Sequence, residues 1–146
     1  MPTSERSFWD AVDQIREHDP RFRREAYGFL MLALAATVET LPPERRADPV
    51  RRHLSGRELL AGVVALARRE FGPLASTVFE EWGLRSGADV GSVVFQLVEA
   101  GQLSARPQDR REDFLGGPDL LETLRPHRRA PRDRERHGRG PGAAGR

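Results

Sequence analysis

Four histidines, His18, His53, His127 and His137, are the side chains of this 146-residue chain best suited to proton transfer near neutral pH. Two are isolated in the body and two fall in an arginine-rich tail. None belongs to an H-E-x-x-H or any other metal-ligand spacing. His18 beside Asp19 reads as a cation at a helix C-terminus, where the dipole favours it. His53 stands just ahead of a helix start and could meet Glu58. Adjacent carboxylates occur at Glu80-Glu81 and Glu112-Asp113. Neighbours on a helix do not share a face, and neighbours on a strand point to opposite sides. Neither pair therefore has the spacing of a general acid and base. The glycines form neither a dinucleotide fingerprint nor a phosphate loop, and no serine has a nucleophile-elbow setting. There is no cysteine, which excludes disulfides, thiolate zinc sites and cysteine nucleophiles. The expectation is a protein that is not an enzyme, with no catalytic residue, no metal and no cofactor.

The chemistry that remains is that of guanidinium and indole. All 24 basic residues are arginine, and asparagine is absent as well; GC-rich coding explains this bias better than selection for arginine chemistry. The net charge of +2 hides an asymmetry. Residues 125–146 hold eight arginines against two acids, a net +6, whereas residues 1–124 hold sixteen against twenty, a net −4. The body is mildly acidic and the tail basic. Arg106, Arg110 and Arg111, with Arg128 and Arg129 in the tail, are the candidate phosphate contacts. Trp9 and Trp82 are the candidate partner surface if exposed, since indoles anchor interfaces; the alternative for both is the core.

The element expected to position these groups is the stretch from Pro73 to Phe114, which has the layout of a winged helix-turn-helix. Pro73 suits a first helical position. Leu74, Val78, Phe79 and Trp82 share a helical face, and Gly83 supplies a stop. Ser86 with Asp89 is a capping signal. Val90, Val93, Val94, Leu97 and Val98 then follow the repeat of a helix with one buried face, ended by Gly101. Residues 102–105 and 111–115 are expected to pair as a β-hairpin around the loop 106–110, with residues 50–54 as a third strand. In such folds the second helix enters the major groove. Here it would expose Asp89, Ser92, Gln96 and Glu99 and no arginine, which argues against binding to a polyanion.

The remaining elements follow the same signals. A first helix opens near Ser7, with Asp10 in the capping-box position, and stops at Asp19-Pro20. A second runs from about Arg21 to Leu41, polar at its start and then apolar nearly all round from Ala26 to Val38, as in a central core helix or the face of a homodimer. Pro42-Pro43 ends it, and residues 44–49 read as a charged loop. Ser55-Gly56-Arg57-Glu58 is a capping box for a third helix that Gly72 terminates. After the breaker Gly116-Gly117-Pro118, residues 119–124 read as a short helical segment. From Arg125 no apolar side chain exceeds Ala or Pro in size, so the tail is expected to be disordered. The most apolar run, residues 26–38, is short for a membrane span. The start MPTSERSFWD lacks the pattern of a secretory leader. A cytoplasmic protein is expected.

The blocks FWDAVDQIREHDPRF, HLSGRELL, REFGPLASTVFEEWG, VVFQLVEAGQL and REDF, in this order, resemble a family of small uncharacterised bacterial proteins of the planctomycete and verrucomicrobial lineage. The resemblance spans about residues 7 to 115. It implies no activity and no catalytic residue, and the basic tail lies outside it. The expected architecture is a mainly α single domain over residues 1–124, a helical bundle with a winged helix-turn-helix-like portion and a small β-hairpin. The function this favours is protein interaction. The second reading is a nucleic-acid-associated factor, binding DNA or RNA through wing and tail.

Overall fold

The computed structural model describes residues 4–104, 110–117 and 119–126, with side chains from residue 7 onward. It is mainly helical. The helices are α1 (Ser4–His18), α2 (Arg24–Glu39), α3 (Pro43–Arg46), α4 (Gly56–Phe71), α5 (Ala75–Trp82), α6 (Gly87–Glu99) and α7 (Leu120–Leu124), with short 3-10 turns at Gly72–Leu74 and Arg111–Phe114. α2 is the hub: it packs most extensively on α4 and also meets α1, α5 and α6.

The helix boundaries follow local signals. Both serine caps form full capping boxes, Ser55 with Glu58 and Ser86 with Asp89. Gly83 closes α5 in the left-handed region, at φ 89°, a conformation other residues rarely adopt. Several boundaries differ from expectation: α2 spans Arg24–Glu39 against the expected 21–41, and Pro73 lies in the 3-10 turn ahead of α5. α1 begins at Ser4, so Ser7 lies inside the helix instead of capping it. Residues 44–46, part of the expected loop 44–49, join Pro43 in a helical turn because Pro43 takes a first-turn position, where its missing N–H costs nothing.

The apolar run of α2 is only partly enclosed. Ala26, Tyr27, Phe29, Leu30 and Ala33 are buried, whereas Leu32 is 65% exposed. One end of the core is a ring cluster. Phe29 lies 5.6 Å from both Phe71 and Phe79 and 5.4 Å from Trp82, and Phe79 stacks on Trp82 at 5.8 Å. Offset and edge contacts of this kind add to the burial of each ring.

The expected β-hairpin and its third strand are not formed: there is no strand among the described residues. The fold is therefore helical without the wing. Residues 50–54 are turn and coil, and residues 105–109 lie outside the described part. Residues 111–114 form a 3-10 turn in place of the outer strand. One local bond closes the turn. The Asp113 N–H donates to the Arg110 carbonyl at 3.1 Å, and the turn drives Phe114 inward, to 5% exposure, while Leu115 stays 54% exposed. A strand would have placed these two adjacent side chains on opposite faces, with only one apolar group on each to hold a sheet.

Gln96, expected on the open face of α6, is also placed differently. The Tyr27 hydroxyl donates to Gln96 Oε1 at 2.6 Å, and Gln96 Nε2 donates to Asp19 Oδ2 at 2.8 Å. Asp19 is in turn paired with Arg21 at 2.7 Å. The hydrogen bonds from Arg21 lower the carboxyl of Asp19. Burial pushes the Tyr27 phenol up to about 12, so it remains a donor. This chain of bonds ties the α1–α2 turn to the middle of α6.

Candidate binding cleft

The periodicity of α6 splits into two stripes. Val90, Val93 and Leu97 are buried in the core. Val94 and Phe95 rest against that core, and with Val98 they remain half-buried. This second stripe is the floor of a cleft of about 470 Å³, within the usual size of ligand-binding clefts, about 300–1,000 Å³. Leu34 and Val38 of α2 and Leu103 after α6 extend the floor, and Phe114 closes one side.

The wall at Phe114 depends on glycine. A β-carbon at Gly91 of α6 would fall 2.9 Å from the Phe114 ring, and one at Gly56 of α4 would fall 2.8 Å from Asp113 Cβ; one at Gly87 would run into the Phe114 carbonyl. Gly87 and Gly91, one turn apart, thus let the 3-10 turn sit directly on the α6 backbone. Phe114 then packs edge-on to Phe95, with ring centroids 6.2 Å apart.

The opposite wall, residues 49–54, is held by Arg45. Its guanidinium grips Glu58 in two bonds of 2.6 and 2.8 Å and also donates to the carbonyls of Arg51, at 2.5 Å, and His53, at 3.2 Å. A planar fork with several donors can make all these bonds from one side chain. The Arg45 bonds, with the Ser55 backbone N–H, hold the Glu58 carboxyl down at about 2. Glu58 thereby serves twice, capping α4 and anchoring the cleft wall.

The rim is polar. Arg46, Arg52, His53 and Arg110 stand around the opening, together with Glu39 and Asp113. Arg46 donates to the Glu39 backbone carbonyl at 2.9 Å, and the Asp113 carboxylate accepts the Arg110 backbone N–H at 3.4 Å. Arg111 lies 5.5 Å from the centre of the Phe95 ring.

Of the residues singled out from the sequence, Arg110 is brought to the cleft rim and Arg111 to the Phe95 ring. Arg106, Arg128 and Arg129 lie outside the described residues. Trp82 is half-buried in the ring cluster. Trp9 is half-buried over Gly28, where a β-carbon would fall 2.8 Å from its ring, and Arg24 covers it at 4.5 Å. The two tryptophans belong to different packing groups, one between α1 and α2, the other at the end of α5. His18 contacts the Gln14 carbonyl at 3.1 Å. No group of three His, Cys, Asp or Glu able to hold a metal is found among the described residues, nor is any described helix long and apolar enough to cross a membrane.

The sequence reading missed Phe95, Leu103 and the α2 contribution of Leu34 and Val38. One signal was present: Phe95 follows Val94 outside the core repeat, so an apolar ring was already due on a less buried face. The G-x-x-x-G pair Gly87 and Gly91 also signalled a close backbone approach on one side of α6. No family model, no curated protein and no solved structure matches this chain.

Proposed function

We propose that this chain is a non-enzymatic protein-interaction module that receives an apolar segment of a partner in the α2–α4–α6 cleft. The observation that carries the reading is the second apolar stripe of α6. Val94, Phe95 and Val98 rest half-exposed on the floor of a formed cleft, on a helix whose first stripe already satisfies the core. Isolated surface hydrophobes are ordinary, but a contiguous set in a concave site marks a binding surface. The walls are fixed independently of any occupant, by the glycine-seated turn at Phe114 and by the Arg45 fork. Preorganisation of this kind lowers the cost of binding. The resemblance to small planctomycete and verrucomicrobial proteins brings no activity to this reading.

Docking of α6 into a DNA groove is disfavoured by its side chains. The helix has no arginine, and Gln96 is engaged with Tyr27 and Asp19.

The test is a photo-crosslinking amino acid placed at Val98 in the full chain, with the same group at exposed Arg57 on α4 as control. The expected result is a discrete protein adduct from position 98 and none from position 57. Adducts to nucleic acid at position 98, or equal labelling from both positions, would overturn the reading.

A further inference from the structure

Resting on that reading, we infer that the docked segment carries acidic side chains beside its apolar anchors. The rim supplies the argument. Arg46, Arg52 and Arg110 surround the opening and Arg111 stands against the Phe95 ring, so four guanidinium groups flank one apolar floor. The rim acids offset them incompletely. Asp113 is turned to the Arg110 backbone N–H, and Arg46 uses the Glu39 main chain, not its carboxylate. The ion pairs among the described residues lie elsewhere: Arg45 with Glu58, Arg21 with Asp19, Arg24 with Asp13. Among the described residues no carboxylate is paired with a rim guanidinium, and the planar fork of arginine matches an incoming carboxylate in a paired geometry.

Charge also excludes the chain's own tail as occupant. Residues 127–146 hold seven arginines and two acids, the same sign as the rim. A second copy offers no better match through that segment. The occupant that fits is a segment of another protein in which Leu, Val or aromatic residues alternate with Asp or Glu.

The experiment is selection of a random phage-displayed peptide library on the full chain, with counter-selection on Phe95→Asp. Recovered peptides are expected to combine apolar anchors with adjacent Asp or Glu. A synthetic representative should lose about tenfold in affinity when its acids become amides, the loss of two or three partly exposed ion pairs. A lysine version of the peptide should bind the triple variant Arg46→Glu, Arg52→Glu, Arg110→Glu better than wild type. These arginines are exposed, so the variant is expected to keep its helical circular dichroism. Neutral or basic consensus peptides that the Phe95→Asp variant rejects would overturn the acidic specificity and leave the cleft reading standing. Peptides that bind Phe95→Asp as tightly as wild type, or no recovery at all, would overturn both.

Discussion

Two apolar regions of this molecule are packed to different ends. The cluster of Phe29, Phe71, Phe79 and Trp82 is closed: each ring touches at least two others, and Phe79 is 0% exposed. The floor of Val94, Phe95 and Val98 lines a cleft instead, with all three side chains half-buried. The first region is sealed around Phe29 and Phe79, with Phe71 and Trp82 half-buried at its margin. The second has been shaped by its neighbours and, among the described residues, is only partly covered. Burial supports the fold in one place, and its incompleteness supports the proposed interaction in the other.

The largest effect that would sharpen this contrast is Phe79→Ala. Emptying a sealed aromatic site costs about 3–5 kcal/mol, so urea unfolding should show a sharply lowered midpoint. A loss under about 1 kcal/mol would mean that the cluster is as loosely held as the cleft. Gly91→Leu comes next. The added side chain has no room beside Phe114, and overpacking costs about 1–3 kcal/mol. It should expel Phe114, breaking the cleft wall while leaving the ring cluster in place. Near-ultraviolet circular dichroism from Trp82 that stays native in a destabilised variant is the expected signature.

Tyr27→Phe removes the hydroxyl that holds Gln96 and should cost about 1 kcal/mol. Chemical shifts should move at Asp19 and along α6. The smallest effect concerns pH. The Glu58 carboxyl is held down at about 2, so the unfolded chain takes up its proton first as pH falls. Its contribution is complete above the ordinary glutamate value near 4.5 and is lost as pH drops from there toward about 2. Glu58→Gln should flatten that part of the stability–pH curve. An unchanged curve would remove Arg45–Glu58 from the account of the cleft wall. The pair is partly exposed, so solvent screening keeps the effect modest.

Much of the helical framework is legible in the sequence because its signals are local. Ser55 with Glu58, Ser86 with Asp89, and the glycines at 72 and 83 act within a few residues of the boundary they set. The wing is not legible in the same way. The segment 111–114 contains one strongly apolar residue beside a charged run, a pattern compatible with a short strand or with a single turn. What decides between them is distant: Gly87 and Gly91 provide a place where Phe114 can lie on the α6 backbone. The cleft was hidden for a related reason. Val90, Val93, Val94, Leu97 and Val98 read as one apolar face, and only the packing of α2 and α4 shows that the face is divided, with Val94 and Val98 on its open side. Gln96 looked like a solvent-facing polar residue, and its bond to Tyr27 joins positions 69 residues apart. The candidate arginines were chosen for charge; Arg110 and Arg111 met the cleft through the turn that the hairpin expectation had misread.

The most direct measurement pairs stability with binding in one variant, Phe95→Asp, assayed by urea unfolding and by crosslinking from position 98. The account predicts a stability within about 1 kcal/mol of wild type, as for a partly exposed site, together with loss of the partner adduct. A variant that unfolds would place Phe95 with the closed cluster, and a stable variant that keeps its adduct would show that the cleft is not the docking surface.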